Sequence, residues 1–323
     1  MPFARYILDN NAAYLERTDG SRQYLHFVDQ SIVRQTAVGD VTGDGFTDAV
    51  YEFAWGGIMV ADYAAKPGTV TLTPVVPVIP RADLGGPEEV HLFGTANVLG
   101  TAARDVLYYR NAYDAQGNSH VTYYAQDLRG GSTIAVFDSA RDGGHLQLFA
   151  DLNGNGRADA VFRTAGGELK VKLDSGGETL FLTGVTRNPD IILASAGNFH
   201  AATPHDDLLF FDTASRTFTV WVRGPAGADA MADHFETVFT LPQNWSLIGT
   251  GDMDGDGIND IRMVDQGGIF LPYPRETLPT YYWSVGKGQL VAMGEIDPYD
   301  HRGGGNFPAP VGLAGLAEEP ALP

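Results

Sequence analysis

Three short segments of this chain repeat one another closely enough to set its architecture: Asp40-Val-Thr-Gly-Asp-Gly-Phe-Thr-Asp48, Asp151-Leu-Asn-Gly-Asn-Gly-Arg-Ala-Asp159 and Asp252-Met-Asp-Gly-Asp-Gly-Ile-Asn-Asp260. Weaker echoes sit between them, with Asn97 and Asn198 in the first position and Asp105 and Asp207 opening the next apolar run. A sixth echo begins at Glu295. The starts at 40, 97, 151, 198, 252 and 295 lie 43 to 57 residues apart. Self-similarity at such a period reads as a stack or ring of like units, none of which can bury its apolar face alone.

The run before each start alternates with the period of two expected of a strand. One residue before the start stand Gly39, Ala96, Ala150, Gly197, Gly251 and Gly294; five before stand Gln35, Leu92, Leu146, Leu193, Leu247 and Leu290. Small residues at one end and mostly leucine at the other fit strands that crowd around a central axis. A second apolar run follows each loop, as in Asp48-Ala-Val-Tyr-Glu-Phe53, and two further short runs follow that, giving about four strands per unit. The expected fold is an all-β β-propeller of six blades, each of about four antiparallel strands, over residues 1–297. Seven blades or an unclosed solenoid remain as alternatives. The last unit lacks a second strand, whereas Arg5–Leu8, Ala13–Glu16 and Gln23–Val28 read as three strands lacking a first. The N-terminal strands are therefore expected to join the last blade and close the ring. A short helix is expected over Ala226–Val238, and residues 298–323, rich in Pro, Gly and Ala, read as a C-terminal tail.

Composition narrows the function. The 323 residues carry 21 Lys+Arg against 40 Asp+Glu, a formal charge of −19, which opposes binding to phosphate backbones or anionic lipid. Nucleic acid is disfavoured as a partner. There is no cysteine, hence no disulfide, thiolate metal site or cysteine nucleophile. Arg5, Asp9, Glu16, Arg17 and Asp19 interrupt the start, so it lacks the apolar core of a secretory signal, and no apolar run reaches membrane-spanning length.

Each acidic loop offers oxygen side chains at positions one, three, five and nine and glycine at four and six. The carbonyl at position seven adds another oxygen. A hard cation with six to eight oxygen ligands suits such a frame, and Ca²⁺ suits it better than Mg²⁺. The candidate metal sets are Asp40, Thr42, Asp44, Phe46 and Asp48; Asp151, Asn153, Asn155, Arg157 and Asp159; and Asp252, Asp254, Asp256, Ile258 and Asp260, with Phe46, Arg157 and Ile258 contributing only carbonyls. Carboxylate count ranks the third loop above the first and the first above the second. The alternative is a set of Asx-Gly turns that need no ion.

The frame Asp-x-(Asn/Asp/Thr)-Gly-(Asp/Asn)-Gly-x-x-Asp, preceded by Gly or Ala and followed by two apolar residues, resembles the FG-GAP or VCBS-type repeat of integrin-like β-propellers. Three units match closely and three are degenerate. The resemblance implies about three structural calcium ions in the loops between first and second strands. It also implies ligands on the opposite face, at the channel mouth or between blades. Activity does not follow from it, because propellers host unrelated functions. The calcium loops favour an extracellular or secreted setting, and the leaderless start leaves a cytoplasmic one open.

Six residues before each loop, at the entry of the first strands, stand Arg34, His91, His145, Ile192, Ser246 and Gln289. Arg34, His91 and His145 bring a guanidinium and two imidazoles to one rim, able to grip an anionic or hydroxylated ligand or to move a proton. Trp55 and the pair Tyr113–Asp114 lie in turns opening on the same face, a ring-plus-carboxylate combination suited to sugars. Trp221 and Trp245 read as packing residues. His200 and His205 fill the degenerate fourth loop, as softer metal ligands or as the remnant of a lost calcium site. Nucleophile elbows, phosphate loops and zinc-helix motifs are absent. The leading expectation is a calcium-stabilised, lectin-like propeller that binds carbohydrate or another small molecule. Alternatives are a lyase, dehydratase or cyclase using His91, His145 and Arg34 as acid, base and anion clamp, or a protein-interaction subunit of a secreted or toxin assembly.

Overall fold

The computed structural model describes residues 3–9, 12–17, 22–27, 33–45, 47–54, 57–62, 71–76, 90–113, 118–173, 179–181, 188, 190–200, 205–222, 234–265 and 278–296. The chain is an all-β β-propeller built of antiparallel sheets. Strands β1 (Phe3–Asp9), β2 (Ala12–Arg17) and β3 (Arg22–Phe27) pair in sequence as a three-stranded sheet. Five four-stranded meanders follow. The first blade is β4 (Val33–Gly39), β5 (Asp48–Phe53), β6 (Ile58–Asp62) and β7 (Thr71–Val76); the second is β8 (Val90–Ala96), β9 (Asp105–Tyr113), β10 (Ser119–Gln126) and β11 (Thr133–Asp138). The third, after a single helical turn α1 (Ser139–Asp142), is β12 (Gly144–Ala150), β13 (Asp159–Thr164), β14 (Leu169–Lys172) and β15 (Thr179–Phe181). The fourth is β16 (Ile191–Gly197), β17 (Asp207–Asp212), β18 (Thr217–Val222) and β19 (His234–Thr240); the fifth is β20 (Trp245–Gly251), β21 (Asp260–Asp265), β22 (Leu278–Ser284) and β23 (Gln289–Ile296).

Three expectations differ from the structure. Among the described residues there are five four-stranded blades, where six or seven are expected, because Gln289–Ile296 is the outer strand of the fifth blade. It pairs with β22 across the turn Val285–Gly288 and opens no further unit. Its Leu-x-Ala-x-Gly pattern mimics an inner strand, yet Leu290 is 43% exposed where Leu92, Leu146 and Leu193 are at most 5% exposed. The N-terminal strands accordingly do not join Gln289–Ile296; they pair among themselves, and Ala13 packs into the apolar cluster of the first blade. The expected helix over 226–238 is overturned in its second half, where His234–Thr240 is strand; 226–233 lie outside the described residues.

The inner strands all carry a bulge, which raises local twist. Phe93, Gln147, Ala194 and Ile248 are skipped in register four residues before their loops, whereas in β4 the skipped residue is Arg34, two positions nearer the rim. The second strands are largely apolar because blades cover both their faces: β5 is buried throughout, its acids Asp48 and Glu52 included. Core clusters accordingly lie between consecutive blades. Leu148, Val161 and Val171 of the third blade meet Leu193, Leu208 and Trp221 of the fourth, and Leu209, Phe218 and Val220 of the fourth meet Ile261 and Met263 of the fifth.

A second set of inter-blade contacts runs along the loops. In the second to fifth blades the residue before the loop-closing aspartate donates its backbone N–H to the first loop residue of the preceding blade: Arg104 to Asp40 O at 2.8 Å, Ala158 to Asn97 O at 2.6 Å, Asp206 to Asp151 O at 2.8 Å and Asn259 to Asn198 O at 2.6 Å. All five blades are thereby joined, loop to loop, on one face.

Candidate functional site: acidic loops and rim

The three close-matching loops fold alike. Asp40 accepts the N–H groups of Gly43 and Asp44 at Oδ1 and of Gly45 at Oδ2. Asp151 does the same with Gly154, Asn155 and Gly156, and Asp252 with Gly255, Asp256 and Gly257. Curling the chain around one carboxylate needs left-handed backbone at positions four and six, with φ of 71° and 88° at Gly43 and Gly45, so glycine is required there.

The aspartates that close the loops, at position nine in four of them and, as Asp207, at position ten in the fourth blade, are the second common feature. Asp48, Asp105, Asp159, Asp207 and Asp260 all have 0% solvent exposure. Asp48 Oδ2 accepts the N–H groups of Val41 and Thr42 and the hydroxyl of Thr42; Asp260 Oδ2 accepts the Met253 N–H. Burial dominates their protonation, lifting the carboxyls of Asp48 and Asp260 to about 6 and of Asp207 to about 7, against the hydrogen bonds that partly offset it; Asp105 is raised by the same cause. Asp48 Oδ1, Asp105 Oδ1 and Asp207 Oδ1 are buried with no hydrogen-bond partner. A buried, unpaired carboxylate oxygen is costly unless a proton or cation meets it.

How well the three loops fit a divalent cation differs. Carboxylate oxygens of Asp252, Asp254 and Asp260 all lie within 4.8 Å of one another, the one such group of three acidic or histidine side chains among the described residues. Asp254 Oδ1 is buried without a partner, and Asp256 Oδ1 accepts from Ile258 N–H. This loop fits the ion. In the first loop Asp48 Oδ1 is available, Asp44 is exposed, and Phe46 lies outside the described residues. The second loop fits least: Asn153 directs its amide Nδ2 at Asp159 Oδ1, and Asn155 Oδ1 is engaged by the Arg157 N–H. The Arg157 guanidinium reaches back to Val98 O at 3.2 and 3.3 Å, linking third blade to second.

At the rim, the structure joins Arg34 and His91 through a residue the sequence reading missed. Glu52 of β5, 2% exposed, places Oε1 3.1 Å from His91 Nδ1 and 4.0 Å from Arg34 Nη1, and its Oε2 accepts the Leu92 N–H at 2.8 Å. The His91 ring lies 5.0 Å from that of Tyr109. A carboxylate at Nδ1 selects the tautomer protonated there and leaves Nε2 as the acceptor edge. Its signal was legible, a lone acid inside the apolar run Ala49–Phe53. His145 occupies the equivalent place one blade on, exposed and opposite Arg163 in register. No metal-capable group of three includes His91 or His145 among the described residues. Trp55 and Asp114 fall outside the described residues, and Tyr113 ends β9 opposite Ser119. Trp221 is buried and Trp245 stacks on Tyr281 at 4.5 Å, packing positions both. His205 is buried with Nδ1 4.0 Å from Asp207 Oδ1. No helix among the described residues is long and apolar enough to cross a membrane.

No family model matches the chain, and no curated protein does either. Among solved structures it is similar to a fungal alcohol oxidase of the AA5 family in complex with copper, at TM-score 0.46 and 10% identity over 90% of this chain; the chain spans 60% of the length of that oxidase. It is similar also to AofleA from Arthrobotrys oligospora, at 0.45 and 10% over 91% of this chain and 86% of that one. A third likeness is to the WD40 domain of SCAP from fission yeast, at 0.38 and 9% over 92% and 71%. At these scores nothing about the sites of those proteins carries over.

Proposed function

We propose that the chain is a calcium-stabilised β-propeller of the FG-GAP/VCBS type with one ligand site on its rim, and that the ligand is a carbohydrate. The observation that carries the metal half is the shared loop: a first aspartate wrapped by three backbone amides, a ninth aspartate cut off from water, and, at residues 252–260, three carboxylates within 4.8 Å. Asp252, Asp254, Asp256 and Asp260 would hold Ca²⁺ with the Ile258 carbonyl; Asp40, Thr42, Asp44, Phe46 and Asp48 would form a second site, and Asp151, Asn153, Asn155, Arg157 and Asp159 a weaker third. The ion supplies positive charge to carboxylates that otherwise repel. Sites of this kind fill at extracellular calcium levels, which supports a secreted setting over a cytoplasmic one.

The rim half rests on the Glu52–His91 pair with Arg34 and Tyr109 beside it: donors, an acceptor and a flat ring within one patch suit a polyhydroxylated ligand. The charge of −19 supports a neutral ligand over nucleic acid. An enzyme is the second reading, favoured by one observation: the rim position holds four residue types in five blades, Arg34, His91, His145, Ile192 and Ser246, with only the two histidines alike, and a unique site is what a lyase, dehydratase or cyclase needs. His91, His145 and Arg34 would then serve as acid, base and anion clamp. A protein-interaction role in a secreted assembly is the third.

The test pairs calorimetric titration of metal-free protein with CaCl₂ and a glycan array on wild type, Glu52→Gln and His91→Ala. Absence of calcium uptake sinks the metal half. Glycan binding unaffected by both substitutions removes the rim site, and binding lost in both supports it.

A further inference from the structure

Over the acidic loop of the fifth blade stands a cation that the loop motif does not supply. The turn joining β22 to β23 folds back on residues 252–260. Ser284 Oγ donates to Asp254 Oδ2 at 2.8 Å, the Val285 N–H donates to Asp260 Oδ1 at 3.2 Å, and Lys287 Nζ lies 2.7 Å from Asp254 Oδ2 and 3.9 Å from Asp256 Oδ2. Packing at the turn is close: a Cβ on Gly286 would stand 2.6 Å from Asp256 Oδ2 and 2.8 Å from Ile258 Cδ1. The ammonium thus does the work of a cation where four carboxylates crowd together. It meets only one edge of the cluster, because Asp254 Oδ1, on a side chain 9% exposed, keeps no hydrogen-bond partner. Lys287 itself is 46% exposed on a flexible four-carbon stem, so its head can leave for water without moving the backbone.

We infer that Lys287 is an exchangeable internal counter-ion of this loop: its ammonium holds Asp254 and Asp256 when the loop is metal-free, and a divalent cation entering between Asp252, Asp254 and Asp260 displaces it into solvent. The inference rests on the calcium reading above and specifies how that site is regulated. An ammonium and a divalent ion repel at such range, and an Oδ2 committed to the lysine is not open to the metal. Part of the binding energy of calcium is therefore spent on breaking the ion pair, and carboxylate count overstates the affinity of this loop. Occupancy is also reported outward, since the freed lysine lies on the exposed β22–β23 turn.

The experiment is acetylation by an N-hydroxysuccinimide ester, resolved by peptide mass spectrometry, on metal-free and calcium-saturated protein, with calcium calorimetry alongside. Lys287 is expected to be labelled several-fold faster with calcium. Lys172, whose Nζ lies 2.8 Å from Asp142 Oδ1 in the third blade, is expected to keep its rate. Lys287→Met is expected to bind calcium about tenfold tighter at one site and, metal-free, to melt lower than wild type. Calcium uptake with unchanged Lys287 labelling, or with equal affinity in the variant, overturns the displacement and leaves the calcium reading standing. No uptake by wild type or variant overturns both. Should the variant not fold, wild-type labelling decides.

Discussion

Glu52 is a charged side chain at 2% exposure inside the otherwise apolar run Ala49–Phe53, and it holds there because each oxygen has a partner. Glu52→Gln keeps the volume and an acceptor for the Leu92 N–H, whereas Glu52→Ala leaves that N–H and the His91 ring without it. Alanine is therefore expected to cost on the order of 1–3 kcal/mol and glutamine less, measured by urea denaturation. Equal costs would show that the carboxylate organises nothing. Nitrogen chemical shifts of His91 should show the Nδ1-protonated tautomer in wild type and lose that preference in Glu52→Gln. Single residues also decide the ranking of the loops. Asp254 belongs to a gathered trio, while Asn153 already spends its amide on Asp159. Asp254→Ala is expected to reduce calcium affinity more than Asn153→Ala in calorimetric titration; the reverse order contradicts the assignment of the strongest site.

Each loop and the strand that follows it form one electrostatic element, because the aspartate that closes the loop is also the first buried residue of that strand. Asp48 and Asp260 titrate near 6 and Asp207 near 7 in the folded chain, against about 4 in an unfolded one, through loss of hydration. Between pH 4 and pH 6–7 the folded state binds more protons than the unfolded state, so stability falls as pH rises through that window. For metal-free protein the melting temperature is expected to drop between pH 4.5 and 7.5. Asp48→Asn should reduce the slope, and saturating calcium, which takes the place of the protons, should flatten it. A melting temperature that rises with pH in metal-free protein would refute burial as the dominant cause. The same elements explain what the sequence disclosed. Inner strands and loops were legible because glycines at fixed positions and a leucine five residues upstream each have a local cause. Outer strands were not, since Gln289–Ile296 carries the same small-and-leucine rhythm for pairing on one side only. Nor was Lys287 legible as a loop residue, because its place over Asp254 follows from the pairing of β22 with β23 rather than from any spacing within the motif.

Across the molecule, apolar packing between blades and the loop-to-loop hydrogen bonds act in parallel. Clusters such as Leu208 and Trp221 against Leu148 and Val161 supply non-directional stabilisation, roughly proportional to area removed from water. The four backbone bonds from Arg104, Ala158, Asp206 and Asn259 instead fix each loop against its neighbour, so a loop that stiffens restrains the next. Calcium would act on this second system. At a free concentration of about 100 times the dissociation constant, one site adds about 2.7 kcal/mol to the folded state. For a domain of this size each kcal/mol shifts the melting temperature by roughly 2–4 °C. Chelation is therefore expected to lower the melting temperature by about 5–10 °C for each strongly bound ion, in scanning calorimetry at pH 7.5 with EGTA against millimolar calcium. The first and fifth blades carry the two better-fitting loops and stand at opposite ends of the hydrogen-bonded series. If both loops load, the loss should appear as one cooperative shift rather than as a separate early transition of either blade. A melt that is the same in chelator and calcium would leave the buried aspartates to protons alone and end the structural role assigned to the ion.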